Sequence, residues 1–202
     1  MRVAQGAHRR GSRLRWRGGW GLLLAACAAH ASGQALTGEL DATRSAFGVE
    51  LRTRWGQVVE GRFPDFEGQV AMLDGDRRQV RVRLTTATVR IGDSPRYSAM
   101  ARGDRFFDSG RHPSIEFISD PIDLAMVEKG GPLRGRLTIR GVTRIERFLL
   151  LPASCARPGI DCDFVATGGV DRHDYGLDGW RLALDDTVRF TMRVRLAEEP
   201  AP

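Results

Sequence analysis

Strict alternation of apolar and polar residues constrains this chain more than any other feature. From Leu133 to Arg140, the residues Leu133, Gly135, Leu137 and Ile139 fall on one side of an extended backbone. Arg134, Arg136, Thr138 and Arg140 fall on the other. The same pattern returns near the end, where Val188, Phe190, Met192, Val194 and Leu196 alternate with Arg189, Thr191, Arg193 and Arg195. A helix would scatter these residues around its axis, so period two predicts strands with one dry and one wet face. After Gly141 a second extended run carries Phe148 and Leu150 on its dry side, which predicts an antiparallel hairpin. A lone hairpin is marginal in water, so its dry face needs further strands.

The chain supplies them. Ser45 to Trp55 places Phe47, Val49 and Leu51 on one face. Gly61 to Leu73 carries Phe63 and Phe66, with Pro64 predicting an irregular start. Asp74-Gly75-Asp76 is a turn, and Val80, Val82 and Leu84 are the dry residues of the next run. From Ser94 to Asp108 the alternation stops. Ser94 as cap and Pro95 as first helical residue predict a short helical crossing, with Phe106 and Phe107 packing back on the wall or rim. Extended structure resumes with Ile115 and Phe117, and Pro121 bends it. Lys129 to Pro132 is a turn before the hairpin. Phe164, Ala166 and Val170 share a face of a later strand, inside which Gly168-Gly169 predicts a bulge. Asp174-Tyr175-Gly176 reads as a turn or short helix. About eight strands and no parallel βα rhythm predict an all-β fold: an eight-stranded antiparallel up-and-down β-barrel, which removes exposed edges. An open sandwich is the alternative.

The formal charge of +6 suggests nucleic acid until it is located. Six arginines lie within residues 1–31, and no acidic residue precedes Glu39. The remainder is balanced, with 25 basic and 25 acidic residues, so no phosphate-tracking face is expected. The arginine-rich start, the apolar run Trp20 to Ala29 and the small residues after it predict a secretory signal over residues 1–31. Ala29-His30-Ala31 fits ordinary cleavage, the preferred reading. Leu24-Ala25-Ala26-Cys27 resembles a lipobox, which would make the product an outer-membrane lipoprotein acylated at Cys27. Residues 32–39 are expected to be a linker and 40–198 the folded domain. Cys155 and Cys162 flank a Pro158-Gly159 turn, and in an oxidising compartment they are expected to form a disulfide. A redox or metal pair would favour C-x-x-C spacing.

Catalytic constellations are scarce. His8 and His30 belong to the leader, leaving His112 and His173, neither with a metal-spaced partner. No G-x-S-x-G elbow and no glycine-rich phosphate loop occurs. The chain is expected to be a non-enzyme, with no cofactor and no metal.

Taken in order, several motifs resemble one family. Asp41 and Ser45 open the series, then Gly61-Arg62-Phe63 with Phe66 and Gly68, then Phe106-Phe107-Asp108 leading to His112-Pro113 and Phe117. The hairpin Gly135-x-Leu137-Thr138-Ile139-x-Gly141-Val142-Thr143 and the segment Arg172-x-Asp174-Tyr175-Gly176-Leu177 complete it. The set resembles the bacterial periplasmic YceI-like proteins, or polyisoprenoid-binding domains. That resemblance implies a lipocalin-like barrel in the periplasm, whose apolar interior holds a polyprenyl lipid or a quinone tail. Arg44 and Arg140 stand where members often carry histidine, and Met100-Ala101-Arg102-Gly103 departs from the usual crossing, which bears on head-group contacts.

The candidate lining residues follow from parity and this resemblance. They are Phe47, Val49, Phe63 and Phe66 from the first strands, and Val82, Phe106, Ile115 and Phe117 from the middle. Leu137, Ile139, Phe148 and Leu150 come from the hairpin, and Phe164, Phe190 and Met192 from the last strands. The small residues Gly135, Ala166 and Gly168 would leave room between the rings, and Arg62 and Arg105 are rim candidates for a head group. Inward phenylalanines fill a core as readily as they line a tunnel, so parity leaves a filled and a hollow barrel both open. The expected function is a non-catalytic carrier of an isoprenoid lipid or quinone. Two alternatives remain: an enzyme acting on a small amphiphile with His112 or His173 as base, and an interaction module. Two partners are also left open: a membrane cytochrome of the b561 type, which accompanies some relatives, and a second copy of the chain in a homodimer.

Overall fold

The computed structural model describes residues 37–197. The expectations for the leader, including both cleavage sites and Cys27, lie outside the described residues, as does residue 198. The elements in chain order begin with β1 (Gly38–Glu39), β2 (Ala46–Thr53), β3 (Val58–Arg62), β4 (Phe66–Leu73), β5 (Arg77–Thr85) and β6 (Arg90–Ile91). Then come α1 (Pro95–Arg102), β7 (Ser114–Ser119), α2 (Leu124–Lys129), β8 (Gly131–Ile139), β9 (Val142–Leu150), β10 (Phe164–Asp171) and β11 (Leu184–Val194). All pair antiparallel in one curled sheet, in the order β1-β4-β5-β7-β8-β9-β10-β11-β2-β3-β6.

The described residues hold eleven strands where eight were expected, because three staves are interrupted. Between β1 and β2 the Asp41 carboxylate accepts from Thr43 N (2.8 Å), Thr43 Oγ1 (2.6 Å) and Arg44 Nε (2.6 Å), which turns the chain. Between β3 and β4 stands Pro64, which has no amide hydrogen for a ladder. Between β5 and β6 the backbone winds into a 3-10 turn at Thr86–Thr88. Joined across these breaks, the strands make eight staves in up-and-down order. The residues just after β1 close the circuit: Leu40 N donates to Gly68 O (2.9 Å) on one side, and Asp41 N donates to Arg195 O (2.9 Å) on the other. The sandwich alternative fails on this order. β1 also occupies the end of the expected linker, since Gly38 and Glu39 pair with Val70 and Gln69.

The dry faces point inward as parity predicts. Leu133, Leu137 and Ile139 are buried, as are Phe148, Leu150, Phe190 and Val194. The β8–β9 hairpin turns on Arg140 and Gly141, with φ of 50° and 75°, the two-residue geometry that matches strand twist. Ser94 caps α1, its Oγ accepting from Tyr97 N (3.3 Å). Helix α2 was not expected. Asp123 caps it through Met126 N (2.7 Å), and Val127 is buried against the end of the barrel opposite α1. The expected bulge at Gly168-Gly169 is absent: both residues pair in register with Phe190 and Arg189. Instead the register shifts in β11, between Leu184 and Val188. The expected disulfide joins Cys155 to Cys162.

Candidate functional site

The phenylalanines meet one another first. Phe117 and Phe148 pack edge to face with ring centres 5.2 Å apart, and Phe148 meets Phe190 at 6.4 Å. Phe47 packs on Phe66 at 4.6 Å, and Phe63 on Phe107 at 5.6 Å. These rings lie as close as they do because two glycines face them. A Cβ on Gly135 would stand 2.6 Å from the Phe117 ring, and one on Gly168 would stand 2.7 Å from Phe148 Cδ1. The small residues therefore admit aromatic rings, where the sequence suggested room for a ligand. The middle of the barrel is a packed aromatic plug. Around it Phe47, Val82, Ile115, Leu137 and Met192 leave a void of about 20 Å³, also bordered by the Phe117, Phe148 and Phe190 rings. Leu150, Phe164 and Met192 border a second void of about 50 Å³ towards α2.

The hollow lies on the other side of the plug, at the α1 end, with a volume of about 330 Å³. Its walls come from five places. β2 and β3 supply Val49, Leu51, Thr53 and Val59, while β6 and α1 supply Ile91, Tyr97 and Met100. Phe106, Phe107 and Ile139 close one side, and Val188 and Phe190 of β11 form the floor next to the plug. The segment after β10 adds Arg172, Leu177, Trp180 and Ala183, and Leu184 opens β11 beside them. The mouth runs between Trp55 in the β2–β3 turn, Tyr97 and Trp180, which line the hollow yet are 66%, 54% and 48% exposed.

Of the candidate lining residues, Val49, Phe106, Ile139 and Phe190 border this hollow. Phe47, Val82, Ile115, Phe117, Leu137, Phe148, Leu150, Phe164 and Met192 lie at or beyond the plug. Phe63 is buried against Phe107, and Phe66 borders an open groove beside Leu40. Arg62 and Arg105 are exposed and do not line the hollow. Sequence reasoning missed Trp55, Tyr97, Leu177, Trp180 and Arg172. A signal pointed to two of them: Trp55 and Trp180 are the only tryptophans beyond residue 31, Trp55 closing an alternating run and Trp180 lying in a stretch without alternation.

Thr53, Gln57 and Arg172 are the polar side chains in an otherwise apolar or aromatic wall. Arg172 is fully buried at the start of a 3-10 turn (Arg172–Tyr175). Its Nε donates to Asp185 O (2.9 Å), and its Nη1 to Gly179 O (2.7 Å) and Leu177 O. Nη2 is buried with no protein acceptor. Burial lowers this guanidinium's pKa, while Asp186 and Asp178 nearby oppose that. Arg172 thus ties down the loop that carries Leu177 and Trp180. The adjacent Tyr175 donates to Glu146 Oε1 (2.7 Å), and burial raises its pKa, so it remains a donor.

Neither histidine faces the hollow. The His173 ring is held between Asp178 Oδ1 (2.6 Å from Nδ1) and Asp186 Oδ1 (2.9 Å from Nε2). The His112 ring lies against Gly141 at the hairpin turn. Among the described residues no cluster of His, Cys, Asp and Glu could hold a metal. The two arginines that stand where histidine was expected are structural clasps. Arg44 Nη2 donates to Leu196 O (2.9 Å) at the seam, and Arg140 Nη1 donates to Gly176 O (2.8 Å). What this geometry offers chemically is an apolar chamber with an aromatic opening.

Three solved structures share the fold. BcnA of Burkholderia cenocepacia is 18% identical with a TM-score of 0.61, covering 77% of this chain and 98% of its own. A polyisoprenoid-binding domain from Saccharophagus degradans, implicated in plant cell wall breakdown, is 15% identical with a TM-score of 0.57, covering 77% and 95%. The YceI protein of Campylobacter jejuni, crystallised with large solvent channels, is 21% identical with a TM-score of 0.56, covering 69% and 84%. No curated protein matches the chain. The model of the YceI-like domain matches residues 33–196, nearly the whole described region and most of the chain, and the chain therefore belongs to the YceI-like family.

Proposed function

We propose that this protein binds the apolar chain of an isoprenoid lipid, and that the chamber at the α1 end receives it. One observation carries the reading: a hollow of about 330 Å³ with only three polar side chains in its wall, set in a barrel of this family. Each CH₂ that leaves water contributes about 0.8 kcal/mol, so an alkyl chain is held there without a polar anchor. The volume lies at the lower end of the roughly 300–1,000 Å³ typical of ligand pockets. It encloses part of a polyprenyl tail; the remainder leaves through the mouth or enters past the phenylalanine plug. The polar end of the ligand stays near the mouth, where Thr53 and Gln57 lie, because the floor offers it no partner.

The likeness to a polyisoprenoid-binding domain supports an isoprenoid over other lipids. The arginine-rich, then apolar, leader supports export, and the reading is of a periplasmic carrier that shields a lipid from water. The test is to isolate the protein from the envelope of its own host, extract it with organic solvent and weigh what is released. An isoprenoid in near-equal amount to protein is expected. Recovery of no lipid, or of phospholipid alone, overturns the proposal.

A further inference from the structure

We propose that the mouth of the chamber is a membrane-docking surface, and that its partner is the headgroup region of a phospholipid bilayer. The inference rests on the chamber being a lipid site, since such a ligand must be collected from and returned to a bilayer. The surface itself is on the molecule. The β2–β3 turn and the loop 178–184 are tied together, Arg54 N donating to Ala183 O (2.9 Å) and Arg54 Nε to Arg181 O (3.1 Å). From this double loop Trp55 and Trp180 stand half in the chamber and half in water, with Tyr97 of α1 completing the rim. Two residues after Trp180 in the same loop, Leu182 is 92% exposed and borders neither chamber nor core.

Trp180 adds a second argument. Its φ of 62° lies in the left-handed region that bulky residues rarely take. Ala183 N (2.9 Å) and Leu184 N (3.0 Å) both donate to its carbonyl, so the turn holds the indole at the opening. Exposed indole and phenol rings around one opening, with an exposed leucine in the same loop as Trp180, match the interfacial zone of a bilayer, where such rings have an apolar body and a wet edge. The rim carries both signs: Asp93 and Asp104 neighbour Arg96 and Arg105 in the chain, while Arg54 is paired with Asp186 (3.2 Å) and Arg181 with Asp178 (3.5 Å). The cations open to phosphate are therefore Arg96 and Arg105. Arg96 precedes Tyr97, and Arg105 packs beneath Gly179, next to Trp180. Neither arginine forms an ion pair among the described residues. Arg181 also stands exposed at the rim, beside Asp178. Docked this way, the chamber opens into the acyl region, and a lipid passes without crossing water.

The test is hydrogen–deuterium exchange of the full chain, with and without vesicles of phosphatidylethanolamine and phosphatidylglycerol. Its readout is local, so any contact made by the N-terminal segment does not enter it. Vesicles are expected to slow exchange in peptides covering residues 52–58 and 178–184, and to leave the outer face of β7 and β8 unchanged. Leu182→Glu should weaken that protection about tenfold in vesicle concentration, roughly the value of one buried leucine. Arg96→Glu with Arg105→Glu should weaken it in low salt. Leu182→Glu leaves the chamber intact, so uptake of geranylgeraniol by this variant should match the unaltered protein. Vesicles that protect neither segment, or that protect Leu182→Glu equally, overturn the docking surface. Absence of geranylgeraniol uptake with protection intact would instead count against the lipid site.

Discussion

His173 shows how a residue reserved as a candidate base became a brace. Hydrogen bonds that the ring donates to Asp178 first, and then to Asp186, raise its pKa above the ordinary 6.5, while the same contacts lower both carboxylates. A histidine raised in this way stabilises the fold fully below 6.5 and loses that contribution as pH climbs through the raised value. Chemical denaturation should therefore become easier as pH rises above 6.5, and His173→Gln should flatten that slope; an unchanged slope contradicts the brace. Gly168 makes a steric prediction. A Cβ there would sit 2.7 Å from the Phe148 ring, so Gly168→Ala should cost about 1–3 kcal/mol by overpacking. A midpoint within error of the unaltered protein would mean that the ring yields freely. Neither role was legible beforehand. The sequence shows a histidine near aspartates and a glycine in a strand, but not which ring arrives from across the sheet.

At the level of elements, period two told which side chains point inward on β2, β5, β8, β9 and β11. It told nothing of what they meet there. Whether an inward phenylalanine finds another ring or empty space depends on how strongly the sheet curls and on which cross-strand neighbour lacks a side chain. Gly135 and Gly168 decided it for Phe117 and Phe148. The breaks in the staves were half legible: Pro64 announced one, while the 3-10 turn at Thr86–Thr88 carried no signal that the pattern could show. Helix α2 had a signal that went unread, Asp123 as cap and Gly130 just past its end with φ of 75°. The plug makes its own prediction. Phe190 borders both the chamber and the 20 Å³ void, so Phe190→Ala should cost about 3–5 kcal/mol and extend the hollow inward. Prenyl alcohols longer than those the unaltered protein prefers should then bind more tightly; no change in length preference would remove the plug as the limit. The disulfide lies at the far side of this architecture. Its loop packs on the segment just after β11, with Leu196 N donating to Gly159 O (2.8 Å). Replacing both cysteines by serine should cost about 2–3 kcal/mol by loop-entropy reasoning, without loss of lipid uptake.

For the whole molecule, the eight-stave circuit and the family were readable from motifs in order, because strands and turns are written locally. The position of the site was not, since the chamber is assembled from an interrupted sheet, one helix and a loop that follows no period. The result is a barrel stoppered in the middle, with α2 covering one end and an aromatic mouth at the other. The proposed function turns on the chamber between mouth and stopper. The most direct measurement is native mass spectrometry of the protein with geranylgeraniol, set beside Val49→Trp, which places an indole inside the chamber and leaves the stopper untouched. One bound molecule on the unaltered protein and none on Val49→Trp is the predicted result. No bound molecule on the unaltered protein, or equal binding by both, would contradict it.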